Sequence, residues 1–314
     1  MARIFITGGS GFVGAHVVRR MVADGHDVTV FAPAPEPCLT DADLNDISFV
    51  SGGVEEPGAL DAMIGTTKPD IVIGLAAYGG SGRGLLAAAA ENEATALAVN
   101  VGGFRNLLAA CERFKVARVI WASTLAVYGS AALYQGDPVD ETAPRRPETF
   151  YGLTKVLAED LARFYREVRG LDLTGLRLPV VFGPGLWYRG AASQIVDLFQ
   201  AAADGGEATL EVSTSLLELM YVTDVAGAFA HLVEHEGPRD LLYNLSAYAP
   251  SLHEVVAVLK DLSPALKVTT TEVDPPLTYP LVSSQKLADG IGFRPDFSLE
   301  QACADYVKAL RSGS

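Results

Sequence analysis

Cysteine is scarce in this chain. Cys38, Cys111 and Cys303 are the only three among 314 residues, and they lie far apart with no Cys-x-x-Cys pair, so neither a disulfide framework nor a zinc knuckle is expected. They are read as reduced, small apolar fillers. Positive charge is short as well: 24 Lys and Arg stand against 38 Asp and Glu, a net charge of −14. Without a basic stripe, nucleic acid and an anionic membrane are excluded as partners. The five histidines, His16, His26, His231, His235 and His253, share no metal-ligand spacing, and no metal is expected. No apolar run approaches the ~20 residues of a membrane crossing; the run from Leu85 to Ala90 stops at Glu91. The amino terminus is broken at Gly8 too soon for a signal peptide. The expectation is a cytoplasmic enzyme with a small-molecule substrate.

What the chain does have is enough apolar residue, 49% hydrophobic against 20% charged, for a soluble globular protein of one large domain or two small ones. Arg3 to Thr7 reads as a buried strand, Gly8-Gly9-Ser10-Gly11-Phe12-Val13-Gly14 as a glycine-rich turn, and the residues to about Ala23 as a helix. A turn of that kind lets backbone approach a pyrophosphate, and the helix start presents N–H groups and positive dipole to it. A second strand is predicted at Asp27 to Phe31, then others at Ile47 to Ser51, Asp70 to Ala77, Ala117 to Ala122 and Leu173 to Leu178. A long helix is predicted from about Glu91 to Phe114. Strands alternating with helices predict an α/β fold, a doubly wound parallel sheet of the Rossmann type. The pattern is less regular beyond Pro179. Residues 1–180, with 217–246 returning to them, are therefore assigned to a dinucleotide-binding domain, and 181–216 with 247–314 to a smaller substrate lobe.

The strand ending at Ala122 runs into Ser123-Thr124, placing hydroxyls where the ligands of open parallel sheets bind. Tyr151 and Lys155 open a helical pattern four residues apart, so a phenol and an ammonium share one face. A nearby cation favours phenolate and suits the phenol to acid/base work.

Gly8-x-x-Gly11-x-x-Gly14, Ser123-Thr124-x-x-Val127-Tyr128-Gly129 and Tyr151-x-x-x-Lys155, in this order, resemble the extended short-chain dehydrogenase/reductases, the NAD-dependent epimerase/dehydratase family. The likeness covers essentially the whole chain. It implies that Tyr151 is the acid/base, that Lys155 supports it and holds the nicotinamide ribose, and that Thr124 hydrogen-bonds the reacting oxygen. It also implies that Gly8, Gly11, Phe12, Val13 and Gly14 meet the pyrophosphate. Leu75, Ala76, Ala77, Asn100 and Pro179 are then expected to line the cofactor, and a homodimer is expected. Ser123, pointing to the opposite face of the strand, is read as structural.

Three departures bear on ligands. The second strand ends in Ala32, where the family carries an acid for the adenosine ribose, yet no Lys or Arg lies between Arg20 and Lys68 to meet a 2′-phosphate. NAD is therefore favoured over NADP. Members that act on nucleotide-diphosphate sugars carry Asn where this chain has Val180, and Arg where it has Leu217. The main expectation is accordingly a dehydrogenase or epimerase acting on a small, sugar-like substrate without a nucleotide. The alternatives are a nucleotide-sugar 4-epimerase or dehydratase and, ranked last, an inactive nucleotide sensor. Arg83, Thr124, Val180, Trp187 and Arg189 are the expected substrate contacts.

Overall fold

The computed structural model describes residues 1–79, 82–136, 138–187, 193–274 and 278–312. Its amino-terminal half alternates strand and helix: β1 (Arg3–Thr7), α1 (Phe12–Ala23), β2 (Asp27–Ala32), α2 (Asp41–Asn45), β3 (Ser48–Ser51), α3 (Ala59–Thr67) and β4 (Ile71–Gly74). The helices α4 (Leu85–Glu91), α5 (Glu93–Leu97) and α6 (Phe104–Phe114) follow, then β5 (Arg118–Thr124), α7 (Phe150–Glu167) and β6 (Leu173–Leu178). The remainder comprises β7 (Val180–Phe182), α8 (Ser193–Asp204), β8 (Glu207–Val212), β9 (Leu219–Tyr221), α9 (Val222–Glu234), β10 (Leu242–Asn244), α10 (Leu252–Leu262), β11 (Lys267–Glu272), α11 (Gln285–Ile291) and α12 (Leu299–Ser312).

Seven strands form one parallel sheet in the order β10-β6-β5-β4-β1-β2-β3. The chain winds outward from β1 in both directions, which opens a crevice between the carboxyl ends of β1 and β4. Strand residues alternate between two cores. Ile4, Ile6, Val28, Val30, Ile71 and Ile73 enter one; Phe5, Phe31, Val72 and Trp121 enter the other. Helices α1 and α9 cover the first face, and α3, α6 and α7 the second. Burial on both faces explains why these strands read as nearly continuous apolar runs.

Among the described residues, the core on the α1 side continues without a break into the carboxyl-terminal elements, through Phe199, Leu210, Leu259 and Tyr306. β10 rejoins the main sheet beside β6, whereas β9 pairs with β7 and β8 with β11 in separate two-stranded pairs. The long helix predicted from about Glu91 to Phe114 runs as α5, a widened turn and α6, and begins just after the end of α4. Asn92 caps α5 by accepting a hydrogen bond from the Thr95 N–H, which ends α4, and residues Ala98–Gly103 widen into a π-helical turn. No described helix is long and apolar enough to cross a membrane.

Candidate active site

The glycine turn between β1 and α1 is built by steric exclusion. Gly8 has a φ of 70°, and a Cβ there would lie 2.7 Å from the Ala76 nitrogen. A Cβ on Gly14 would strike the Gly8 carbonyl oxygen and come within 2.8 Å of the Gly9 Cα. Gly11 differs: a methyl there would meet only the Gly8 oxygen, at 3.5 Å, and otherwise project into open space. Gly11 is also the N-cap of α1, and no side chain caps that helix. Its N-cap brings no side chain to the first N–H groups, beside an open surface, which is what an anion such as a pyrophosphate requires. The turn of Gly8, Gly11 and Gly14 therefore leaves room for a dinucleotide's pyrophosphate, Ala76, following β4, packs against the same turn, and the Phe12 side chain is buried in the core.

The strand end and the helix that carry the predicted catalytic groups are locked together. Thr149 caps α7 by accepting from the Gly152 N–H at 3.0 Å, so Tyr151 and Lys155 fall in the first turns. Lys155 is buried, and its Nζ donates to the Ala122 carbonyl at 3.0 Å while lying 5.9 Å from the centre of the Tyr151 ring. Gly152 lies so close to the Ala126 carbonyl that no side chain fits between them. Thr124, the last residue of β5, accepts through Oγ1 from the Ala126 N–H at 3.1 Å, and Ala126 shares an apolar cluster with Tyr151. The strand end that carries Thr124 and the first turns of α7 that carry Tyr151 and Lys155 thus share one seam. Burial pushes the Lys155 ammonium down to about 8, and the negative charge of Glu159 opposes that shift.

Asn100 sits in the π-helical turn and is buried. Its Oδ1 accepts from the Tyr78 N–H at 2.8 Å, and its Nδ2 donates to Thr154 Oγ1 at 3.0 Å. Expected at the cofactor, it joins the loop after β4 to the first turn of α7. It also lines a small cavity with Thr7, Ala76, Ala122 and Lys155.

On the substrate side the expectations separate. Arg83 is paired with Glu91 at 2.7 Å in a solvent-facing ion pair, its side chain 66% exposed, so the glycine loop offers it to solvent and not to a buried carboxylate. Trp187 is half-exposed and lies over Gly82, whose Cβ would be 3.0 Å from its ring. Val180 is paired into β7, with its N–H donating to the Glu218 carbonyl at 3.0 Å. Tyr188 and Arg189 lie outside the described residues. Tyr279 is not singled out by the sequence. It packs, with Tyr78 and Phe150, against the cluster of Ala89, Ala96, Ala126 and Tyr151. The Val139–Val282 bridge brings its segment there, and no local pattern announces that.

Ser123 lies, as read, on the other face of β5, where its hydroxyl donates to Glu159 Oε1 at 2.7 Å. Glu159 in turn receives two bonds of 2.8 Å from Arg177, and both side chains are almost wholly buried. Nothing local in the sequence marks this pair, which lies next to the catalytic seam.

Comparison with known proteins agrees with the fold. An uncharacterised epimerase/dehydratase of Staphylococcus saprophyticus is 27% identical over 284 residues, covering 88% of this chain and 84% of that protein. The dTDP-L-rhamnose 4-epimerase of Burkholderia thailandensis is 24% identical, covering 96% of this chain and 93% of that protein. The crystal structure of the Thermus thermophilus UDP-glucose 4-epimerase in complex with NAD superposes with a TM-score of 0.85 at 25% identity. It covers 99% of this chain and 100% of that one. The profile of the NAD dependent epimerase/dehydratase family matches residues 4–246, from β1 through β10, and the chain belongs to that family, an enzyme of the extended short-chain dehydrogenase/reductase kind.

Proposed function

We propose that this enzyme oxidises a secondary alcohol on the sugar of a nucleotide-diphosphate sugar with NAD, as the first half of an epimerase or dehydratase cycle. The observation that carries the chemistry is the seam between the end of β5, which carries Thr124, and the first turns of α7, which carry Tyr151 and Lys155, with Lys155 lining one small cavity with Thr7 at the end of β1. NAD held by the glycine turn supplies the hydride acceptor. Tyr151, held as phenolate by the Lys155 ammonium, takes the proton that leaves the alcohol as its carbon gives up hydride, and becomes the neutral phenol. The Thr124 hydroxyl donates to the substrate oxygen as charge develops on it. The names of the relatives, a dTDP-L-rhamnose 4-epimerase and a UDP-glucose 4-epimerase among them, move the substrate away from the non-nucleotide class expected from the sequence.

A second reading, a small sugar or other secondary alcohol without a nucleotide, is favoured by one observation. Leu217 is bound through its N–H to the Pro250 carbonyl, and the Glu218 carboxylate is buried, accepting from Ser246 Oγ at 2.5 Å and the Val282 N–H at 2.7 Å. Leucine and carboxylate cannot replace the bidentate fork that a diphosphate is best met by. Incubation with UDP- and dTDP-sugars, with inversion read by NMR and net NADH by absorbance, tests the first reading. Calorimetry with UDP separates the two: a clear binding heat supports the nucleotide sugar, and turnover of free sugars without any UDP signal supports the second.

A homodimer is part of the proposal. Leu153, Leu157 and Phe164 leave an exposed apolar stripe along α7, and Leu97 of α5 is exposed as well. Light scattering on the L157E/F164E variant should show a monomer where the parent is a dimer.

A further inference from the structure

Tyr151, Lys155 and Glu159 stand at successive four-residue steps on one stripe of α7. The Glu159 carboxylate is fully buried with both oxygens occupied. Oε1 accepts from Ser123 Oγ at 2.7 Å and from Arg177 Nε at 2.8 Å; Oε2 accepts from Arg177 Nη2 at 2.8 Å and from Arg145 Nη1 at 3.3 Å. Arg177 Nη1 donates to the Tyr128 hydroxyl at 2.6 Å, and that hydroxyl faces Asn244 Oδ1 at 3.0 Å. A buried ion pair is a poor source of stability compared with an apolar pair of equal volume. This one lies a single helical turn from a buried lysine.

We propose that Glu159, clamped by Arg177, is a positioning residue for the reaction: it is the counter-charge that keeps Lys155 an ammonium in a buried site, and it ties α7 to the strand end carrying Thr124. The proposal rests on the reading of Lys155 as the working cation beside Tyr151. Two neighbouring residues of β5 are bound to two successive turns of α7, Ala122 by Lys155 and Ser123 by Glu159. Arg177 sits opposite Ser123 in the β5–β6 register, so it holds the carboxylate from the adjacent strand. A bidentate guanidinium fixes both oxygens, which a lysine would not. The charged and titratable groups around the unit are Tyr151 and Glu159 on α7, Arg177 on β6, Tyr128 after β5 and Arg145 before α7. Burial drives Lys155 downward, and the charge that pushes it back up is that of Glu159.

The test is the titration of Lys155, followed by NMR on protein carrying 13Cε-labelled lysine, with the signal assigned by its absence from K155R. No substrate is needed. In E159Q, which keeps the shape and loses the charge, the Lys155 midpoint should fall by about one unit. In E159D, which restores the charge, it should return most of the way. If E159Q fails to fold around an unpaired Arg177, the comparison is made on the R177M background, where E159Q/R177M should show a Lys155 midpoint about one unit below that of R177M. A Lys155 midpoint that stays in place when Glu159 loses its charge, in E159Q against the parent or in E159Q/R177M against R177M, overturns the proposal. Failure of the catalytic reading looks different: Y151F would retain turnover in the sugar screen, whatever Lys155 does in the titration.

Discussion

Lys155 Nζ lies 5.9 Å from the centre of the Tyr151 ring and is anchored by the Ala122 carbonyl at 3.0 Å. The anchor explains why a strongly desolvated lysine stays in register with the phenol. Of its three N–H donors one is spent on the strand, leaving others for ligand, and the strand fixes where they are offered. The arrangement makes the separate contributions of the phenol and the ammonium measurable.

Tyr151→Phe removes the proton acceptor and leaves the ring packing against Ala126 and Ala96. Turnover should fall by about 10²–10⁴-fold, the usual contribution of a positioned acid/base. NAD affinity, read by calorimetry, should change little. Equal losses in both would mean that the phenol serves binding and not chemistry.

Lys155→Met separates stability from activity. The lysine ionises at about 8 in the folded protein, against about 10.4 when unfolded. Between those values the unfolded chain holds a proton that the native protein has released, so native stability rises with pH across that window; below 8 the full cost of the buried charge is present. The methionine variant should therefore be inactive yet more stable near pH 7, by roughly 1–3 kcal/mol. Its advantage should shrink as the pH approaches about 10.4. Melting curves at several pH values check this, and a variant less stable at every pH would contradict it.

The glycine turn and the Tyr151–Lys155 step could be read in the sequence because each is local: a few consecutive residues fix the geometry. The sheet could be read because its strands alternate between two buried faces. The π-helical turn at Ala98–Gly103 is hidden because the residues around it keep an ordinary helical pattern. The Arg177–Glu159 pair joins residues 18 positions apart that only the β5–β6–α7 packing brings together. β8 alternates buried Ala208, Leu210 and Val212 with exposed neighbours, yet its partner β11 begins 60 residues further on, at Lys267 opposite Glu207. Tyr279 is of the same kind, placed by tertiary pairing alone.

Gly11→Ala and Gly14→Ala should fail differently. The methyl at Gly14 meets the Gly8 carbonyl and Gly9, so backbone must move, and the variant should lose thermal stability as well as NAD binding. The methyl at Gly11 enters open space beside the uncapped N–H groups. That variant should melt like the parent while NAD affinity drops at least about tenfold, some 1.4 kcal/mol. Unchanged NAD affinity in G11A would place the pyrophosphate elsewhere.

Cofactor choice turns on where the nearby cations are spent. Ala32 ends β2 buried, its carbonyl accepting from the Gly52 N–H, and it offers no charge of either sign. The arginines closest in sequence are both engaged: Arg20 pairs with Asp24 at 2.8 Å, and Arg19 is held by Asp43 at 2.8 Å and by the Cys38 carbonyl. A 2′-phosphate brought to this strand end would be desolvated against a neutral surface, so NADP should bind at least about tenfold more weakly than NAD. The Arg19–Asp43 pair makes the reasoning testable from the opposite direction. In D43N the guanidinium loses its charged partner while remaining beside the loop that follows β2. NADP affinity should then rise several-fold with NAD affinity unchanged, because only the phosphate can use the released charge. Parallel calorimetric titrations of the two dinucleotides read both numbers, and an equal change for each would show that Asp43 shapes the loop without holding the cation away.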